Sequence, residues 1–160
     1  MSTVNTSSTS TGHVLDAIRF PLWGSRLIEA SAGTGKTWTI AALYLRLVLG
    51  HGGEQGFVRP LMPPDILVMT FTRAATRELS DRIRARLIEA VQCFRGEAEP
   101  AAHDQFLREL RDAYPLGSVR EQAAWRLDMA AQCMDDAAIH TIDAWRPRML
   151  REHAFDSGTL

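Results

Sequence analysis

Ala30-Ser31-Ala32-Gly33-Thr34-Gly35-Lys36-Thr37 is the stretch of this sequence best equipped for chemistry, and that chemistry is phosphate binding. Gly33 and Gly35 let the backbone turn tightly, so that successive N–H groups converge on one point. A helix starting there adds its positive dipole end and its unpaired N–H groups. Lys36 then reaches the β- and γ-phosphates of a nucleoside triphosphate, and the Thr37 hydroxyl ligates Mg²⁺. Ala30 replaces the first Gly of the strict P-loop pattern, a departure that many P-loop ATPases tolerate. A chance match is the bland alternative. The flanks argue against it: an apolar Leu27-Ile28 precedes the loop and a long apolar run, Ile40 to Leu49, follows. That is the strand–loop–helix setting such a loop requires.

The elements that must hold this loop alternate along the chain. Arg26 to Ala30 is predicted as a strand and Lys36 to Leu49 as a helix stopped by Gly50. Ile40, Leu43, Leu47 and Val48 do not fit a single stripe, so that helix should be buried on more than one side. A loop rich in Gly and Pro (Gly50 to Pro64) leads to a second strand, Ile66 to Thr70. A long helix is predicted from Arg73 to Phe94, with Ala75, Leu79, Ile83, Leu87 and Val91 at four-residue spacing on one stripe. A further helix should run from Ala101 to Tyr114 and stop at Pro115-Leu116-Gly117. The next opens at a capping box, Ser118 to Glu121. Ala138 to Ile142 reads as a third strand, and Ala144 to about His153 as the start of another helix. This order implies an α/β fold, a parallel sheet with covering helices.

Composition sets outer limits. At 160 residues, 46% of them apolar, the chain can hold one domain with a core of its own. Cys93 and Cys133 are the only cysteines and lie far apart, so they read as reduced thiols on helices of a cytoplasmic protein. Met1 to Gly12 is rich in Ser and Thr and lacks the apolar core of a signal peptide; residues 1–18 are expected to be a disordered tail. No apolar run approaches the roughly 20 residues of a membrane span, so no membrane partner is expected.

Charge is unevenly divided. Thr72 to Arg95 carries six arginines against three acids, a net of +3, whereas Glu97 to Ala138 carries nine acids against four arginines, a net of −5. A basic helix beginning at a strand end suits a nucleic-acid backbone. On charge alone, a solvated face with i,i+4 pairing, such as Arg73–Arg77–Asp81, is the favoured reading.

Phe71-Thr72-Arg73-Ala74-Ala75-Thr76-Arg77-Glu78-Leu79-Ser80-Asp81-Arg82-Ile83 resembles motif Ia of the UvrD/Rep-type superfamily 1 helicases, F-T-x-x-A-A-x-E-[LM]-x-x-R-I. The stretch Ala30 to Thr37 is similar to their motif I, and Thr141 to Leu150 resembles motif Ib, T-[FI]-H-G-x-x-x-R-x-L. Within that superfamily the wording is most similar to the RecB family, the beta subunits of exodeoxyribonuclease V. Leu27 to Ala30, Ile40 to Leu47 and His153 to Gly158 all read that way. The match spans about Arg19 to Gly158.

The resemblance implies that residues 19–160 are the N-terminal part of the first RecA-like domain of an ATP-dependent DNA helicase acting in double-strand break repair. Its cofactors would be ATP and Mg²⁺, with Ala30 to Thr37 at the nucleotide and Thr37 at the metal. Single- or double-stranded DNA and RecC- and RecD-type subunits would be its partners. Phe71, Thr72, Arg73 and Thr141 would meet DNA, Thr72 by hydrogen-bonding a phosphate. Phe71 either offers a ring for a base to stack on or closes the sheet edge as a core residue. Asp143 stands where the family has His, which disfavours phosphate contact there.

The acidic D-E-x-Q-D motif and the arginines of a second RecA-like domain are not found in the sequence. The expectation is therefore a piece of a larger motor, cut before Walker B, lacking the C-terminal nuclease and inactive by itself. Asp143 ends an apolar run but has no second acid after it, so it is not read as Walker B. His140 reads as a packed or strand-end histidine. Trp23, Trp38, Trp125 and Trp145 read as core or helix-packing anchors. Phe20-Pro21-Leu22 stands where an adenine-reading motif would be. A non-catalytic nucleotide-binding or interaction module is the alternative function, and a small P-loop kinase a weaker one.

Overall fold

The apolar run after the glycine-rich loop folds as α1, Lys36–Leu49, with the bounds the periodicity predicts. A computed structural model describes residues 16–22 and 36–144. The predicted strand Arg26–Ala30, most of the P-loop, Trp23, Trp145 and the helix beyond residue 144 lie outside the described residues, as does residues 1–15 of the expected tail. Helix α1 ends because Gly50 takes φ +68°. The Gly50 N–H bonds the Leu47 carbonyl at 3.4 Å and the His51 N–H bonds the Arg46 carbonyl at 3.0 Å, a paired Schellman closure.

Strand β1, Leu67–Thr70, starts one residue later than predicted. Ile66 instead closes a 3₁₀ turn, its N–H bonding the Pro63 carbonyl at 3.2 Å. Helix α2, Arg73–Phe94, matches its predicted span, and Thr72 caps it by accepting the Ala75 N–H at 3.0 Å. Helix α3 is only Gln105–Asp112, shorter than the expected Ala101–Tyr114. Asp104 caps it, its carboxylate accepting the Leu107 N–H at 3.1 Å.

Helix α4, Ser118–Gln132, begins at the predicted residue, but the capping box does not form. Gly117, at φ +108°, is the N-cap, so Ser118 is already helical and stands one position too late to cap. Strand β2, Ala138–Thr141, stops one residue short of Ile142. Thr141 accepts the Ala144 N–H at 3.2 Å, and residues 142–144 turn into a helix there.

The two strands pair in parallel, Leu67 opposite Ala138 through Thr70 opposite Thr141. This is the α/β arrangement expected, with helices packed around a small parallel sheet. Helix α1 is buried all round over Ala41 to Arg46, as its unstriped pattern required. Leu79, Ile83, Leu87 and Val91 form the buried stripe of α2, while Ala75 at its head is half-buried. That stripe packs against Ala123, Ala124, Leu127, Ala130 and Ala131 of α4. The alanines let the two helix backbones approach closely.

Arg46 interrupts the apolar face of α1 and is fully buried. Its guanidinium donates to the Ala17 carbonyl at 2.9 Å, to the Phe20 carbonyl, and to His51 Nδ1 at 3.0 Å. One arginine thus ties residues 17–20 and the loop after α1 to the same helix. A Cβ on Gly52 (φ +121°) would come within 2.5 Å of its Nη2, so glycine is required there. Cys93 is buried in α2 and Cys133 is half-buried in the 3₁₀ turn Cys133–Asp136; both are free thiols. Among the described residues no helix is long and apolar enough to cross a membrane.

Candidate nucleotide and nucleic-acid site

Thr37, in the first turn of α1, and the segment Met69 to Thr72, at the end of β1, line one cleft of about 280 Å³. Ile40, Ala75, Glu78 and Leu79 complete it. The start of α1, the end of β1 and the start of α2 therefore converge at the carboxyl end of a parallel strand, where open α/β sheets bind ligands. Ala30, Ser31, Ala32, Gly33, Thr34 and Gly35 lie outside the described residues, and so does the Lys36 side chain. Lys36 is placed only as the first residue of α1.

Thr72, two residues after β1, and Thr141, the last residue of β2, each cap the helical turn that follows. Each hydroxyl oxygen accepts the N–H three residues on, which orients the helix that follows and leaves the hydroxyl proton available for a ligand. Register brings the two strand ends together, because Thr70 pairs with Thr141. Phe71, the residue after β1, is 78% exposed, so its reading as a core residue closing the sheet edge is overturned. Asp143 lies exposed in the first helical residues after Thr141 rather than at a strand end.

The charge division resolves in space. Arg84 pairs with Asp135 at 2.6 Å, Arg95 with Asp128 at 3.5 Å, and Arg86 with Asp104. Three arginines of the basic helix are thus matched by acids of the acidic segment. Arg82 pairs with Glu78 at 3.8 Å; the expected Arg73–Arg77–Asp81 ladder does not form. Among the described residues, Arg73 and Arg77 make no ion pair. Both sit in the first turns of α2, where the helix dipole is positive and a cation is unfavourable unless an anion joins it.

A second cavity of about 480 Å³ shares Thr37 and is lined by Trp38, Arg82, Arg86, His103 and Asp104 among others. Trp38 is 46% exposed and packs edge-on against Phe106 at 5.7 Å, with the Arg86 guanidinium 5.8 Å from its ring centre. It is a helix-packing residue and not a core one. Trp125 is 56% exposed on α4, which overturns the anchor reading there. His140 is half-buried in β2, consistent with a strand histidine. Sequence reasoning missed Arg46, Arg86, Asp104, Thr70 and Thr76 as organising groups. A lone arginine inside the Ile40–Leu49 run was the one signal available.

A family model described as UvrD/REP helicase N-terminal domain matches residues 13–160. The chain is 50% identical over 147 residues to the RecBCD enzyme subunit RecB of Escherichia coli (strain K12), covering 91% of this chain and 12% of that protein. It is 46% identical over 149 residues to the subunit of the same name from Haemophilus influenzae, covering 90% and 12%. To that of Mycobacterium tuberculosis (strain CDC 1551 / Oshkosh) it is 39% identical over 100 residues, covering 62% and 8%. The chain thus spans about 12% of the length of the first two relatives.

Proposed function

The chain belongs to the UvrD/REP helicase N-terminal domain family, and from that membership we propose that residues 19–160 are part of the first RecA-like domain of an ATP-dependent DNA helicase subunit of RecB type. The observation that carries this reading is the shared cleft: Thr37 of the P-loop and Phe71-Thr72 of the motif Ia turn line the same space. Nucleotide and nucleic acid would then bind at adjoining edges of one strand end. That is the geometry a motor needs if occupancy of one site is to influence the other.

The residues fit the group they would hold. Thr37 is half-buried at the start of a fourteen-residue helix; its hydroxyl would ligate Mg²⁺ while Lys36 would hold phosphate oxygens. Ala30 to Gly35 would cradle the ATP phosphates with backbone N–H groups. On the other edge, Phe71 offers a ring to a base, the Thr72 and Thr141 hydroxyls offer protons to phosphate, and Arg73 offers a charge not already neutralised. In the whole protein, RecC- and RecD-type subunits and a DNA end would complete the assembly.

Calorimetry of ATP–Mg²⁺ binding to the intact protein and to Lys36→Ala tests the nucleotide half. Lys36 is the only lysine in the 160 residues, so no neighbouring ammonium can replace it. Binding should weaken markedly; unchanged affinity would remove Lys36 from its role.

A further inference from the structure

Thr70 is the last residue of β1 and is 8% exposed, yet its side chain is the most connected hydroxyl at the candidate site. Its Oγ1 lies 2.5 Å from the Oγ1 of Thr76, 3.2 Å from the Thr72 carbonyl and 3.4 Å from the His140 carbonyl. The Thr76 hydroxyl in turn lies 3.1 Å from the Thr72 carbonyl. The Thr72 carbonyl belongs to the motif Ia turn. The His140 carbonyl belongs to the neighbouring strand, one residue before Thr141.

We propose that Thr70 and Thr76 are positioning residues that hold the Phe71–Thr72 turn and the Thr141 cap in one fixed relation, so that both turns meet nucleic acid as a unit. The inference rests on the nucleic-acid reading of those turns given above. Each hydroxyl has a single proton, so two protons serve four contacts. In one order Thr70 donates to Thr76 and Thr76 donates to the Thr72 carbonyl. In the other Thr76 donates to Thr70, and Thr70 donates to the Thr72 carbonyl at 3.2 Å or to the His140 carbonyl at 3.4 Å. Either order can bond the Thr72 carbonyl of the motif Ia turn, and the second also lets the Thr70 proton reach β2.

Simple reinforcement of a helix start would need only the Thr76 bond to the carbonyl four residues back. The contact with His140 leaves α2 altogether and reaches the next strand. The motif Ia pattern of the family carries alanine at the position of Thr76, so Thr76→Ala deletes the hydroxyl with a residue that suits a helix.

Binding of a fluorescein-labelled oligothymidylate to the intact protein, followed by anisotropy with melting measured alongside, tests the proposal. Thr76→Ala and Thr70→Val should each bind about threefold to tenfold more weakly, the worth of one neutral hydrogen bond. Thr76→Ser should restore affinity, and the salt dependence should stay that of the parent because no cation is lost. Phe71→Ala serves as the reference for the site itself. If Phe71→Ala weakens binding while Thr76→Ala and Thr70→Val do not, the positioning role is wrong and the nucleic-acid site stands. A loss in Thr76→Ala that tracks a lower melting temperature and is not restored by serine also overturns it. If Phe71→Ala binds as the parent does, the nucleic-acid reading fails and this proposal falls with it.

Discussion

The Asp104 carboxylate accepts two hydrogen bonds from the Arg86 guanidinium, one at 3.0 Å, and its Oδ1 also receives the Leu107 N–H that starts α3. Arg86 and Asp104 are 9% and 7% exposed, so the pair joins the middle of α2 to the start of α3 with little solvent screening. Two elements separated by a loop share one charged hinge point.

Breaking that pair should be costly. Asp104→Leu leaves the buried guanidinium with Glu89 alone, 3.2 Å away and half exposed, so the cost should approach but not exceed the roughly 3–5 kcal/mol of an unpaired buried charge, with a helix cap worth about 1 kcal/mol lost as well. Asp104→Asn keeps the cap and one acceptor, so its loss should be smaller. Burial raises the Asp104 pKa, but the bonds from Arg86 and Leu107 outweigh burial and hold it below its ordinary value. The stabilisation is therefore present above the unfolded carboxylate pKa of about 3.9 and disappears as pH falls through the lower folded value. Urea titrations of parent and Asp104→Asn across that acid range should converge at low pH.

His51 predicts a second pH effect, at milder acidity. Burial, and then the charge of Arg46, push its pKa down to about 4. Arg46 Nε donates to His51 Nδ1, a bond only the neutral ring can accept. The unfolded ring titrates near 6.5, so the stabilisation is complete above that pH. It is lost progressively as pH falls toward the folded value. His51→Asn should flatten the stability–pH curve in that window; an unchanged slope would remove His51 as its source.

At the nucleic-acid edge, Phe71→Ala should cost about 1–3 kcal/mol of DNA affinity if the ring stacks on a base. Because the ring is 78% exposed, stability should change by no more than about 0.5 kcal/mol. Thr72 has a double role. Thr72→Val deletes both the cap, worth about 1 kcal/mol, and the donor to phosphate. Thr72→Ser keeps both and should behave as the parent. Melting and oligonucleotide affinity measured together on the three variants separate these roles.

The 160-residue chain alone should hydrolyse ATP no faster than background. Its sequence holds no D-E-x-Q-D motif, and Asp143 sits at a helix start. Arginine fingers supplied by another element are worth about 10³–10⁵ in rate. Clear turnover that vanishes in Asp143→Asn would reinstate Asp143 as a Walker B acid.

Much of the local structure is legible in the sequence. The bounds of α1 and α2 follow from periodicity and from Gly50 and Thr72, because a long apolar repeat with a capping residue leaves few competing conformations. Errors fell where side chains compete for the same backbone groups. Gly117 takes the cap assigned to Ser118, Asp104 shortens α3, Ile66 is drawn into a 3₁₀ turn before β1, and Ile142 into the helical residues after β2.

The sequence by itself determined the family, the order of the motifs and the residue types at the candidate site, since these are properties of spacing along one chain. Only the tertiary structure decided which charges survive as a surface. Arg84, Arg86 and Arg95 look as available in sequence as Arg73 and Arg77, yet each is matched by an acid 18 to 51 residues away once α2 packs against its neighbours. It likewise decided that Phe71 is exposed, that Arg46 is buried and that Thr70 meets His140 across 70 residues. Burial and pairing depend on distances between segments, and spacing within one segment does not encode them.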